Sequence, residues 1–447
     1  MISGTRLKQL IRLIFGRLFI TRLLIRSILV SLIFPLSSLA NAESLDDAWR
    51  LALSGNFKIK GAQQQELAAD AQLASANAER LPNLALVADY LKMDKSPRFE
   101  GKFGNNIPFA VSYWDKESTY YSASSTLPLY TGGRITADIN AAEAQRSAAI
   151  ANTSHSISSV KMAVGKAYIN VLRAQSAVGL TKSHVKSLTS NQTDVENLLN
   201  QGLVARNHLL MANVALADAK QQLLQANHHS ELAKADYNRL LNRTLDTEFL
   251  LEPLTFAELT LPLEELSNQA LTRRDDIQTL KHRSEVLNQN ANIAKSVSKP
   301  QFGLTGMYLH QDNRINVNND VFAANVSMIW NVFDGGVSRH QSNQLQRQAA
   351  AIRAQEDELT GVVKLQVRKA WLALQAAHER ESMTSINIKQ AEENLSSSKN
   401  RYQAGLITNT EVLDAENLRV RAHHHHNDAS YDASLTLLQL KHAAGIL

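Results

Sequence analysis

The sequence contains no cysteine, which excludes disulfides, thiolate catalysis, Cys-based metal sites and a lipid carried on an N-terminal cysteine. Proline is scarce, eight in 447 residues, and none falls between Leu129 and Glu252 or between Gln301 and Leu447. Those two stretches leave room for helices far longer than a compact domain contains. Beyond the first 42 residues there is no run of the ~18 apolar residues that a spanning helix needs. Any membrane crossing by the rest of the chain must therefore be made by β-strands.

Acidic residues are missing from the first 42 positions, which hold Arg6, Lys8, Arg12, Arg17, Arg22 and Arg26. The formal charge of +5 less these six leaves −1 for the remainder. The basic balance belongs to the leader, so a nucleic-acid partner loses its electrostatic basis. A basic region, the apolar segment SILVSLIFPLSSLA from Ser27 and the triplet Ala40-Asn41-Ala42 form a secretory signal with its cleavage site. Residues 1–42 are read as a signal peptide, with a mature chain from Glu43.

What is present is said twice. Residues 45–90 align with 263–308 at a fixed offset of 218, pairing Leu45 with Leu263, Ala52 with Ala270, Ile59 with Ile277, Pro82 with Pro300 and Tyr90 with Tyr308. From "LYTGG" (129–133) and "VFDGG" (332–336) onward the offset is 203, so VKMAVGKAY (160–168) meets VKLQVRKAW (363–371). The difference of 15 is an insertion in the first copy, within the polar segment 94–116. The mature chain is thus two structural repeats, 43–250 and 251–447.

Each repeat reads as a short helix (about 45–54; 263–272), a longer one (about 57–80; 275–297), a proline and two strands. The strands are 83–91 and 119–130 in the first copy, 301–309 and 321–333 in the second. In the last, Phe322, Ala324, Val326, Met328, Trp330 and Val332 share one face, while Asn325, Ser327 and Asn331 share the other. That alternation suits a barrel strand between lipid and a wet lumen, and also a half-buried strand of a soluble sheet. Two long helical stretches follow. Val160, Val164, Ala167, Val171 and Ala174 step by 4 and 3, and Val363, Val367, Ala370, Leu374 and Ala377 repeat the steps, as a coiled-coil seam does. A helix over about 134–200 would be ~100 Å long. Gly132, Gly133, Gly335 and Gly336 lie where strand meets helix, at a sharp junction that glycine tolerates. Four strands per chain cannot close a barrel, so spanning a membrane requires oligomerisation.

The duplicated layout, the Pro-led strands, LYTGG, VFDGG, LTRRDDI (271–277), QGLVA (201–205) and YQAGLITNTEVLDA (402–415) together resemble the TolC-type outer membrane factors. The resemblance covers nearly all of 43–447. It implies a mixed α and β membrane protein: a homotrimer with a twelve-stranded outer-membrane barrel, four strands per chain, continuous with a periplasmic barrel of coiled-coil helices. It also implies an exit duct for efflux or type I secretion, docked on a periplasmic adaptor and an inner-membrane transporter, with no enzymatic activity and no cofactor.

The resemblance assigns adaptor docking to the turns Gly202-Leu203-Val204-Ala205 and Gly405-Leu406-Ile407-Thr408. It matches Glu411 and Asp414 to an acidic pair lining the periplasmic mouth. Thr408–Glu411 also reads as a capping box, which leaves Asp414 the stronger pore-lining candidate. Tyr402 matches a tyrosine of the closing link, whereas Ile407 stands in place of its arginine and His208 in place of its aspartate. The HHHH run at 423–426 puts at most His423 and His426 on one face, a poor metal site, and reads as solvated surface. No phosphate loop, nucleophile triad or paired-carboxylate site is present. The alternative is a secreted or periplasmic coiled-coil protein without a pore, and cargo is not encoded in any motif.

Overall fold

The computed structural model describes residues 42–254, 261–312 and 317–447; the expected leader, up to Asn41, lies outside the described residues. Two units are distinguished. In the small one Glu43 forms a parallel bridge with Leu251, its amide donating to the Leu250 carbonyl at 2.7 Å. The large unit comprises Ser44–Thr247 and Pro253–Leu447.

In the large unit the element order occurs twice. The first pass is α1 (Leu45–Gly55), α2 (Phe57–Ala78), β1 (Asn83–Lys92), β2 (Arg98–Phe103), β3 (Ile107–Ser112), β4 (Glu117–Tyr130), α3 (Arg134–Asn200) and α4 (Arg206–Leu240). The second is α5 (Leu263–Arg273), α6 (Asp275–Ser296), β5 (Gln301–Asp312), β6 (Asp320–Ile329), α7 (Val337–Gln403) and α8 (Asn409–Ala443). Matched helices have equal lengths: 11 residues for α1 and α5, 22 for α2 and α6, 67 for α3 and α7, 35 for α4 and α8.

Both 67-residue helices begin in left-handed backbone, at Gly133 (φ 90°) and Gly336 (φ 87°). Gly132 (φ 64°) is further constrained, because a Cβ there would lie 2.8 Å from the Ser296 carbonyl oxygen. Side chains then complete the starts: Asp334 accepts the amides of Gly336 and Ser338, each at 2.9 Å, and Thr131 Oγ1 accepts that of Ile135 at 3.2 Å. The far ends are Schellman turns. Gly202 (φ 75°) donates to Leu199 and Leu203 to Leu198, and Gly405 (φ 73°) and Leu406 repeat this with Tyr402 and Arg401, all at 2.9 Å. The helices stop at Asn200 and Gln403 because a left-handed residue there lets the chain reverse.

Packing follows the seam read from the sequence. Val160, Val164, Ala167 and Val171 are buried, as are Val363, Val367, Ala370, Leu374 and Ala377. Near the sheet the helices lie in the order α2–α3–α6–α7; toward the turns the order is α4–α3–α8–α7. Helix α7 is an edge of both layers. The outer edges expose apolar side chains, Leu210, Val214, Leu224 and Leu232 on α4 and Leu365, Leu372, Met383 and Ile386 on α7.

The sheet is antiparallel in the order β1-β4-β5-β6. Directly paired residues share a face. Leu86, Ala123, Tyr308 and Phe322 therefore lie on one side with Leu127, Leu304 and Val326, while Ser122, Ser124, Thr126, Thr305, Asn325 and Ser327 lie on the other. Tyr308–Phe322 (ring centroids 4.7 Å apart) and Tyr130–Phe302 (6.3 Å) mark the two ends of the apolar face. The six residue steps along β5 from Phe302 to Tyr308 rise about 20 Å, close to the apolar band of an outer-membrane barrel.

Two expectations need correction. Segment 94–116, read only as a polar insertion, contains the separate hairpin β2–β3. Strand β6 ends at Ile329, short of 333, because its partner β5 begins at Gln301 after Pro300 and offers nothing further to pair with. Trp330 instead donates its indole N–H to the Ser298 carbonyl at 3.1 Å.

Candidate functional site at the helical tips

The residues assigned to docking divide into two groups. Leu203 and Leu406, at 67% and 69% exposure, stand out from their turns, and Ala205 is also exposed. Val204 and Ile407 turn inward onto a core of Val195, Ala212, Leu395 and Val412. Ile407, standing where the resemblance expects an arginine, is thus a packing residue.

Glu411 and Asp414 are exposed one turn apart on α8. The Glu411 carboxylate accepts the Thr408 amide at 3.3 Å, so it caps its helix, as the sequence suggests. Tyr402 and His208 behave differently. Tyr402 is 6% exposed, and its hydroxyl and His208 Nδ1 are both buried atoms with no hydrogen-bond partner. Within a single chain the two are not linked. Burial, then the charge of Asp194, raises the Tyr402 phenol above its ordinary range.

Sequence reasoning missed the strongest polar feature, one level above the tips in the α3–α8 seam. Glu416, 2% exposed, receives hydrogen bonds from Arg419 Nη2 (2.7 Å) and Ser187 Oγ (3.0 Å) and lies 3.0 Å from His184 Nδ1. Lys399 reaches the same Ser187 hydroxyl at 3.2 Å. Burial alone would raise the Glu416 carboxyl; the hydrogen bonds from His184, Arg419 and Ser187 and the Arg419 charge outweigh it and hold it at about 2. Further rungs join Asn191 to Asn409 (3.0 Å), Ser176 to Asn427 (2.8 Å) and Arg173 to Asp432 (2.6 Å). The signal was available: His184, Leu188, Asn191 and Val195 step by 4, 3 and 4, which puts histidine and asparagine at core positions of a coiled coil.

The histidine run disperses. His423 meets Glu392 at 2.9 Å, His424 meets Asp428 at 2.9 Å, and His426 meets Thr384 at 3.2 Å. Among the described residues no group of three or more His, Cys, Asp or Glu is placed to hold a metal ion, and no helix is long and apolar enough to cross a membrane.

A family model described as outer membrane efflux protein matches residues 48–243 and 266–446. No curated protein matches the sequence. Solved structures share the fold at low identity. The outer-membrane channel OprN has a TM-score of 0.76 at 20% identity, with 90% of this chain and 89% of that chain covered. The outer membrane protein VceC of Vibrio cholerae gives 0.76 at 20%, covering 90% and 96%. The CmeC outer membrane channel of Campylobacter jejuni gives 0.77 at 15%, covering 90% and 85%. The protein is accordingly an outer-membrane protein with a large periplasmic portion, and the alternative of a pore-free secreted coiled coil is set aside.

Because the folded Glu416 carboxyl titrates at about 2 and an ordinary one at 4.5, its contribution is complete above pH 4.5 and drains away as pH falls toward 2. Glu416→Gln is expected to lower stability by on the order of 3 kcal/mol at pH 7. In denaturant unfolding followed by circular dichroism, the gap to the parent should narrow at pH 3.5. A gap independent of pH would contradict the assignment.

Proposed function

Since the chain belongs to the outer membrane efflux protein family, we propose that it is the homotrimeric outer-membrane exit duct of a tripartite efflux pump or type I secretion system. It passively conducts cargo from an inner-membrane transporter and a periplasmic adaptor to the exterior. The duct carries out no enzymatic step and needs no cofactor. The mature chain begins at Glu43, and its repeats, 43–250 and 251–447, each supply one pair of barrel strands and one long helical hairpin.

One observation carries the trimer: a mating surface is built twice and closed once. At the offset of 203, His184, Ser187 and Glu416 correspond to Asn387, Gln390 and Asn213. His184 and Glu416 are buried together between α3 and α8, whereas Asn387, Gln390 and Asn213 are exposed on the open edges α7 and α4. The β4–β5 pairing inside the chain likewise has its counterpart in the free edges β6 and β1. A neighbour placed as the first repeat sits on the second closes both. Three copies give twelve strands and a layer of twelve helices, the size the family resemblance implies.

At the tips, the exposed Leu203 and Leu406 dock the adaptor, framed by Gly202, Val204 and Ala205 and by Gly405, Ile407 and Thr408. Leu203→Asp combined with Leu406→Asp puts charge into that apolar contact. The double variant should lose export, read as drug or secretion sensitivity in cells, with normal oligomer level and membrane location. Undiminished export would remove these turns from the mechanism. Tyr402 and His208 form the closing link across neighbouring helices, each offering a buried polar atom still open to a partner.

Asp414, with Glu411, rings the periplasmic entrance, where converging carboxylates attract multivalent cations. In planar bilayers a trivalent cation on the periplasmic side should block conductance. Asp414→Ala should weaken the block more than Glu411→Ala, whose carboxylate is engaged in capping. An unchanged block in the combined variant would show that these residues do not line the constriction.

A further inference from the structure

The chain contains one helical corner twice. In the first repeat, where α1 meets α2, Asn56 donates to the Leu240 carbonyl at the end of α4 (3.0 Å). In the second, where α5 meets α6, Arg274 donates to the Ala443 carbonyl at the end of α8 (3.5 Å). Positions 56 and 274 are related by the offset of 218, and 240 and 443 by that of 203. Asn242 (φ 57°) and Gly445 (φ 70°) turn the chain after these helices, with Arg243 donating to Asn238 and Ile446 to Lys441, each at 3.0 Å.

The second corner is occupied. Helix α3 lies on it, and His155 and Ser158 share a cavity of about 220 Å³ with Arg273, Arg274, Asp275 and His442. His155 is near enough to favour the charged form of both Asp275 and Asp276, and Arg274 holds Asp276 at 2.6 Å.

The first corner is open in the single chain. Phe57, in the place of Asp275, is 70% exposed, and Lys58, in the place of Asp276, is exposed beside it. The counterpart of α3 is α7, whose outer edge is also uncovered. It carries the exposed Asp357 and Glu358 in the places of Ser154 and His155, and Gly361 in the place of Ser158. Among the described residues Lys58, Asp357 and Glu358 have no ion-pair partner within the chain.

Two properties therefore change together between the joints. Where a histidine meets two aspartates inside the chain, a glutamate would meet a lysine between chains, with Arg239 at the place of His442. The sign of charge on each side is reversed. Where Ser158 and Asp275 line one cavity, Gly361 would meet Phe57. A Cβ on Gly361 has nothing within 4 Å in the single chain. Glycine inside a helix is unfavourable without a packing reason, and room for the Phe57 ring supplies one.

We propose that Lys58 and Phe57 of one chain seat on Glu358 and Gly361 of the next, and that the reversed charge makes each long helix select its corner. The inference rests on the trimer reading and adds a selection rule to it. A duplicated chain offers each corner two helices of matching geometry. Helix α7 on the second corner would set Asp357 and Glu358 against Asp275 and Asp276, a like-charge contact that rejects it. Helix α3 on the first corner would leave Lys58 facing a histidine. The repeats must then alternate around the ring, which brings the free edges β6 and β1 of neighbours together.

Charge exchange in the full mature protein tests this. Oligomers extracted in mild detergent are heated in low-salt buffer, and the temperature at which they separate into single chains is read on gels. Lys58→Glu and Glu358→Lys should each lower it by several degrees, and the two together should recover most of the loss. A second pair, Lys58→Cys with Glu358→Cys, should give a covalent ladder ending at three chains with a short bis-maleimide, and neither cysteine alone should. A combined charge variant no better than the single ones overturns the proposal and leaves the trimer standing, as does a missing ladder in a parent that runs as a trimer. A parent that runs as single chains overturns the trimer reading and the proposal with it, so the two failures are distinguishable.

Discussion

A strand edge left open in lipid keeps a row of backbone N–H and C=O groups unsatisfied, at several kcal/mol for each group. The four-stranded sheet has two such edges, β1 and β6, and an apolar face that belongs in a membrane. The rest of the architecture answers this constraint. A duplicated unit whose first copy mates with its second carries, at its two ends, the surfaces for mating with another chain. The helices obey the same logic as the strands, because the offset that relates the strand-helix junctions also relates the seams. The barrel and the helical layer close by one operation.

Much of this was legible because it rests on spacing. The two offsets, the glycine pairs and the 4-3 steps of valine and alanine are properties of order along the chain, and the helix bounds 134–200 could be read from the lack of proline and the QGLVA turn that follows at 201–205. The insertion at 94–116 was not legible as a hairpin. Its charges, Arg98, Glu100 and Lys102, alternate with Phe99, Gly101 and Phe103, and composition averages the two faces into a polar segment. Only the pairing of Gly101 with Phe109 reveals that the aromatic side chains gather on one side.

At the tips, the sequence located the turns and the Glu411 cap, since both depend on local backbone chemistry. It did not show that Val204 and Ile407 turn inward while Leu203 and Leu406 turn out, because four apolar residues beside two glycines look alike until the helices pack. Nor did it find Glu416. A glutamate three residues before an arginine reads as an exposed pair, and its partners His184 and Ser187 lie 232 and 229 residues away. Burying that carboxylate among donors creates a rigid joint between the two helical hairpins of one chain. On the outer edges the neutral amides Asn387, Gln390 and Asn213 stand at the positions matched to His184, Ser187 and Glu416. In this account the joints within and between chains share a geometry and differ in strength, which leaves movement to the joints between chains.

The central claim is that α4 of one chain meets α7 of the next as α8 meets α3 within a chain. Asn213→Cys and Asn387→Cys, combined in the cysteine-free background and treated with a short bis-maleimide in outer membranes, test it most directly. The account predicts a covalent ladder ending at three chains, formed only when both cysteines are present. Chains that remain single, in a variant that still reaches the outer membrane, would contradict it.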